Sequence, residues 1–231
     1  MTTATDIKEH PILFNGAMVR AILDGTKTQT RRVIKLPADA EQVQYWSTPS
    51  GRSEPGFAEP GVNYWTTNPS GNHIDPCPYG QPGDRLWVRE TFAPCRLSRG
   101  PDDEYTSVAE PRHIAPHRSK CDLGEQHIAY KADGFDAFAG SWRPNIHMPR
   151  WACRILLEVT DVRVQRVQDI SEEDAMAEGV RPEDVATYPH YSSGAVIGAF
   201  AELWDSINAK RGYPWESNPW VWAVTFKRIE M

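Results

Sequence analysis

Cysteine is scarce in this chain. Four thiols, Cys77, Cys95, Cys121 and Cys153, are scattered irregularly over 231 residues, and no Cys-x-x-Cys occurs. Nothing in that spacing sets out a disulfide framework, so free thiols in a reducing cytoplasm are expected. Residues 1–11 have no apolar signal core, and no apolar run approaches the ~20 residues of a membrane span. Positive charge is also short. The 25 basic side chains are outnumbered by 31 acidic ones, for a formal net charge of -6. That balance excludes a non-specific, counterion-driven nucleic-acid binder, but it leaves room for a local basic groove. There is no Walker loop, Rossmann glycine pattern, His-Glu-x-x-His or Gly-x-Ser-x-Gly, so the commonest phosphate, dinucleotide, zinc-protease and serine-hydrolase signatures are missing.

The hydrophobic fraction is 40%, ordinary for a globular protein, and the length suffices to bury a core without staples. Nine tryptophans are many for this length. Most belong to core packing, and some could form a stacking surface.

The most informative stretch is Asp24-Gly25-Thr26-Lys27-Thr28-Gln29-Thr30-Arg31-Arg32. Before it, Ile12-Leu13-Phe14 reads as a short buried strand. Asn15 caps a helix whose apolar face is Met18, Val19, Ile22 and Leu23, and Gly25 ends that helix. Thr28 to Lys35 reads as a strand. On a regular strand Lys27 and Thr30 would face opposite sides, so a shared site needs a turn or bulge between them. A lysine beside a hydroxyl can transfer a proton if its surroundings lower its pKa.

From about residue 37 to 82 regular periodicity fails, and the stretch reads as an insertion with a small hairpin. Arg85 to Phe92 alternates, with Leu86, Val88 and Phe92 on one face and Arg85, Trp87 and Arg89 on the other. A second polar insertion runs from about 99 to 125. Gln126–Lys131 reads as a strand followed by an Asp133-Gly134 turn. Cys153 to Val167 is the longest strand pattern, bent near Asp161. Ser171 caps a helix from Glu172 to Glu178, ended by Gly179, with Asp174 where a capping box prefers Glu. Ala195 to Ala209 is a helix burying Val196, Ala199, Phe200, Leu203, Trp204 and Ile207. Trp220 to Ile229 is the last strand, with Trp220, Trp222, Val224 and Phe226 facing one way. Many strands, few helices and no βαβ alternation predict one α+β domain over residues 1–231, its sheet curled into a small barrel.

Glu178 falls at a helix C-terminus, where the macrodipole disfavours a negative charge. Arg31, Arg32, Arg85, Arg89, Arg150 and Arg154 suit a phosphate-binding groove, and equally suit pairing with acids on the outer sheet face. His113, His117 and Cys121 have helical ligand spacing, but Pro116 breaks that helix, so no metal is expected. Cys77 lies in a tight turn with no His–Asp pattern to activate it and is expected to be inert.

Taken in order, several of these segments resemble the ASCH domain family of the PUA-like superfamily. They are Ile22 to Arg32, Pro82-Gly83-Asp84-Arg85-Leu86-Trp87-Val88-Arg89-Glu90, Ile155 to Thr160, Ile170 to Gly179 and Trp222 to Phe226. Cys77-Pro78-Tyr79-Gly80, and Trp142-Arg143-Pro144 through Met148-Pro149-Arg150-Trp151, are similar to the larger phage and prophage version. The resemblance spans residue 11 to the end. It implies a PUA-like β-barrel with flanking helices and a cleft beside the lysine loop, in a superfamily that commonly binds RNA or reads modified bases. One bacterial branch hydrolyses N4-acetylcytidine with a lysine, a threonine three residues later and a distant glutamate. These fall on Lys27, Thr30 and Glu178.

Two readings stay open. In the first, the chain is an amidohydrolase for N4-acylated cytosine nucleosides or a related modified base, needing no cofactor. Lys27 takes the Thr30 proton, Thr30 attacks or orients water, and Glu178 positions Lys27 or protonates the leaving amine. In the second, the same cleft binds RNA or modified nucleic acid without chemistry. Arg31, Arg32, Arg85, Arg89, Arg150, Trp151 and Arg154 are then the binding residues. No His pair or carboxylate cluster supports a nuclease.

Overall fold

The structure, a computed structural model, describes residues 7–36, 42–47, 62–67, 73–99, 105–109, 126–134, 142–181 and 194–230. Its central element is a five-stranded sheet. In chain order these strands are β1 (Glu9–Leu13), β2 (Gln29–Val33), β6 (Arg85–Arg89), β10 (Leu156–Arg166) and β11 (Trp220–Ile229), in the spatial order β1-β6-β10-β11-β2. Only β1 and β6 run parallel. β10 shifts register against β11 between Val159 and Asp161, which is the expected bend. Among the described residues no backbone pairing closes β1 onto β2, so the observed sheet is open. The side chain of Arg32 on β2 nevertheless donates to the Leu13 carbonyl on β1 at 2.6 Å.

The two outer strands are linked by α1 (Gly16–Leu23). The Asn15 side chain accepts the Met18 N–H at its start, and Gly25, at φ 77°, follows its end. Val19 and Ile22 of α1 enter the main core with Ile12, Phe14, Leu86, Val88, Leu157, Val159, Trp222, Val224 and Phe226. The other face of the sheet is covered by α2 (Glu172–Ala177) and α3 (Ala195–Asn208). Ala175, Phe200 and Trp204 pack there with Val167, Ile170, Val180 and Val221. Alternation along β11 therefore feeds both cores: Trp222, Val224 and Phe226 go to one and Val221 to the other. Each such fully buried large side chain is worth about 1.5–3 kcal/mol of transfer free energy.

Both insertions contain strands. β3 (Gln42–Ser47), β4 (Val62–Thr67) and β5 (His73–Pro76) form an antiparallel three-stranded sheet, one strand more than a hairpin. β7 (Phe92–Arg99) is the centre of a third sheet, flanked by β8 (Tyr105–Ala109) and β9 (Gln126–Tyr130). The stretch read as a polar insertion at 99–125 thus supplies β8. His113, His117 and Cys121 lie outside the described residues. Cys77 is buried, and burial pushes its thiol up to about 12, consistent with an inert role.

Candidate functional site

Three chain segments converge on Lys27. Past the end of α1 the backbone N–H groups of Thr26 and Lys27 both donate to the Ala21 carbonyl, at 2.9 and 3.0 Å. Next, Thr28 donates to Ala177 at the end of α2, and its carbonyl accepts from Phe226 of β11. β2 begins only at Gln29, so Lys27 precedes the strand and escapes its alternation. Gly179, at φ 95°, lets the end of α2 press in. A Cβ there would lie 3.4 Å from the Ala21 side chain and 3.5 Å from that of Lys27.

Lys27 is 2% exposed. Its ammonium donates to Glu178 Oε2 at 2.6 Å, to the Glu178 carbonyl at 2.8 Å and to the Gln29 carbonyl at 2.8 Å. Burial holds the Lys27 pKa below the ordinary lysine value, partly offset by Glu178 and reinforced by the charges of Arg32 and Arg31. Nζ also lies 5.9 Å from the Phe14 ring centroid, and the Arg32 guanidinium lies 5.1 Å from the same ring.

The second carboxylate oxygen of Glu178 is held more loosely, 3.4 Å from Arg31 Nη1. Arg31 spends its stronger contacts elsewhere: Nη2 reaches Asp174 Oδ2 at 2.8 Å, Nη1 reaches Gln29 Oε1 at 2.5 Å, and the guanidinium covers Phe200 at 5.7 Å. Asp174 also accepts from Gln29 Nε2 at 3.1 Å and from Arg163 Nη2 at 3.0 and 3.1 Å. Burial pushes the Asp174 carboxyl up. The Gln29 hydrogen bond and the charges of Arg31 and Arg163 outweigh it, leaving the pKa below the usual carboxylate value. Asp174 departs from the capping-box preference because its side chain serves this network. Ser171 still caps the helix by accepting the Asp174 N–H.

Thr30 is 2% exposed and lies opposite Val224 in the sheet. Its hydroxyl has no hydrogen-bond partner among the described residues. Thr30 and Glu178 line one cavity of about 390 Å³, between the β2 edge and α3. Arg31, Arg32, Tyr79, Trp204, Arg211 and Tyr213 also line it, whereas Lys27 does not. Lys27 therefore reaches the cavity through Glu178. With all three N–H bonds committed, Lys27 turns no lone pair toward Thr30. Its ammonium is bonded to Glu178 and two carbonyls, and Glu178 is the member of the pair that borders the cavity.

Five of the arginine and tryptophan positions singled out by sequence are not in the lining of this cavity. Arg154 is held bidentate by Glu90 at 2.8 and 3.0 Å and by Asp133 at 2.8 and 2.7 Å, with its guanidinium 3.9 Å from the Tyr130 ring centroid. Arg150 pairs with Glu9 at 2.7 Å. Arg89 lies over Trp87 and donates to the Ile146 carbonyl. Trp151 packs on a small core of Phe92, Met148 and Ala152. Arg85 lies across from Glu9 and Glu158. For Arg85 and Arg89 the cause is topological. β6 sits beside β1, separated from β2 by β10 and β11.

Several lining residues had no distinguishing signal in the sequence. Tyr79 lies in a motif read only as a tight turn and a family mark, Arg211 and Tyr213 follow a helix end, and Leu203 and Ile207 read as core positions. Among the described residues no group of three or more His, Cys, Asp or Glu could hold a metal, and no helix is long and apolar enough to cross a membrane. Comparison with protein-family models, curated proteins and solved structures finds no match.

Proposed function

We propose that the chain is an ASCH-type amidohydrolase acting on an N4-acylated cytosine nucleoside or a related modified base. The proposal includes a PUA-like closure of the sheet around the main core, favoured by the side-chain bridge from Arg32 to the first strand. One observation carries the functional reading. Of the buried Lys27–Glu178 pair only Glu178 borders the cavity, Thr30 lines it too, and the Thr30 hydroxyl has no hydrogen-bond partner among the described residues. The cavity lies at the small end of the ~300–1,000 Å³ range of ligand sites.

The reaction then runs as follows. The Thr30 hydroxyl attacks the acyl carbon, and its proton passes to Glu178. The C–N bond breaks, the departing N4 amine takes that proton, and the acyl group remains as a threonyl ester. Water hydrolyses the ester with Glu178 as base, releasing the carboxylic acid and restoring the hydroxyl. Lys27 positions the Glu178 carboxylate through the 2.6 Å contact. Positioned acid–base chemistry of this kind is worth about 10²–10⁴-fold. Incubation with N4-acetylcytidine should release cytidine, and Lys27→Ala should slow release by at least about 10²-fold. Cytidine release at an undiminished rate in Lys27→Ala would sink the assignment.

The lining also favours a second reading, a non-catalytic base-binding module, because Arg31, Arg32, Lys35 and Arg211 share the wall with Phe200 and Trp204. Mobility shifts with RNA at two salt concentrations separate the two. A binding module loses affinity steeply with salt and releases no cytidine.

A further inference from the structure

Among the described residues, two arginines on the cavity wall, Arg32 and Arg211, form no ion pair. Arg32 makes a single hydrogen bond, from Nη2 to the Leu13 carbonyl, and its buried Nε has no partner. Arg211, exposed in the turn after α3, makes no ion pair or hydrogen bond with the described residues. Burial holds the Arg32 guanidinium below its usual range. Tyr79 and Glu178 pull it up, and Arg211 pushes it down. Arg32 and Arg211 line the same cavity. Glu178 acts on Arg32 only through space, because its two oxygens contact Lys27 and Arg31. Nor is Arg211 needed to satisfy the end of α3. There Tyr213 N–H caps the Asn208 carbonyl at 3.2 Å, and Asn208 Nδ2 caps that of Trp204 at 3.3 Å.

We infer that the cavity takes its nucleoside as a phosphate monoester, with the phosphate held between Arg32 and Arg211. This rests on the cytosine-nucleoside reading above and adds the charged half of the ligand. Two guanidinium groups match the two charges of a monoester dianion, and their planar forks suit its oxygens. A cavity of about 390 Å³ holds one nucleotide rather than an oligomer. The base and the scissile amide fall toward Thr30 and Glu178. The phosphate falls at the Arg211 end, away from the carboxylate that would repel it.

The test is calorimetric titration of the full chain with cytidine, cytidine 5′-monophosphate (CMP) and the dinucleotide CpC, alongside hydrolysis of N4-acetylcytidine and its 5′-monophosphate. CMP should bind at least about tenfold more tightly than cytidine. Arg211→Gln should cost CMP about tenfold more than it costs cytidine. Equal affinities for cytidine and CMP overturn the inference, as does an Arg211→Gln effect that is the same for both or confined to Tm. Tighter binding of CpC than of CMP also overturns it, in favour of a phosphodiester polymer. If free N4-acetylcytidine is hydrolysed with no gain from the phosphate, the hydrolase reading stands without this one. If CMP is preferred and neither acylated compound is cleaved, this one stands without the hydrolase.

Discussion

Glu178→Gln keeps the shape of the side chain and an acceptor for Lys27 but removes the carboxylate bonded to that ammonium. Lys27 would remain 2% exposed, with two carbonyls and the charges of Arg31 and Arg32 for company. Breaking a buried ion pair from one side costs about 3–5 kcal/mol. An independent ceiling comes from letting the lysine shed its proton. Starting from an ordinary pKa of 10.5, neutrality at pH 7 costs about 5 kcal/mol, at about 1.36 kcal/mol for each pH unit. The two bounds agree, so the variant should lose about 3–5 kcal/mol at pH 7. For a chain of this size that lowers Tm by roughly 6–20 °C.

The pH dependence has a definite sign. Burial lowers the folded-state pKa of Lys27, and losing Glu178 lowers it further. Between the folded and unfolded values the unfolded chain binds the proton more tightly, so stability rises with pH there. The deficit of Glu178→Gln should therefore shrink from pH 7 to pH 9, by as much as about 1.36 kcal/mol per unit. Urea unfolding followed by tryptophan fluorescence at pH 7, 8 and 9 measures it. The double variant Lys27→Met/Glu178→Gln should recover at least half of the loss, since no buried charge is left alone. A loss below about 1 kcal/mol that is flat with pH would refute the assignment of Lys27 as a desolvated cation.

Thr30→Val removes a hydroxyl that has no hydrogen-bond partner among the described residues, so stability should move by less than about 1 kcal/mol, while cytidine release falls at least about 10²-fold. An unchanged rate with a normal unfolding midpoint would show that water, not Thr30, attacks. Arg154→Met leaves Glu90, 1% exposed, beside Asp133 without its cation, at a cost of about 3–5 kcal/mol at pH 7. Burial already raises the Glu90 pKa, and losing Arg154 raises it further. A raised carboxyl pKa costs stability as pH rises above the unfolded value, so the Tm deficit should be larger at pH 7 than at pH 5. Equal deficits would mean that Glu90 reaches water in the variant.

The secondary structure was largely legible because its signals are local. Asn15 and Ser171 cap where a side-chain oxygen can reach the first-turn N–H groups, and Gly25 and Gly179 stand where positive φ is required. The bend near Asp161 and the facing of Trp220, Trp222, Val224 and Phe226 likewise followed from period-2 alternation. Register between insertion strands was not legible, since β3 to β5 and β8 pair through contacts that no local pattern announces.

Lys27 and Thr30 stand out in the order of residues along the chain, and the family resemblance points to Glu178. Which groups each side chain touches could not be read there. A side chain with three N–H donors bonds whatever acceptors the fold brings within reach, and here these are the Glu178 carboxylate and two carbonyls rather than a threonine three residues away. The arginines show the same limit. Alternation put Arg85 and Arg89 on one face of their strand, but only sheet order placed that strand beside β1, remote from the cavity, and left Arg32 and Arg211 facing it. Periodicity is a property of neighbours in the chain, whereas the surroundings of a charge depend on which distant segments pack against it.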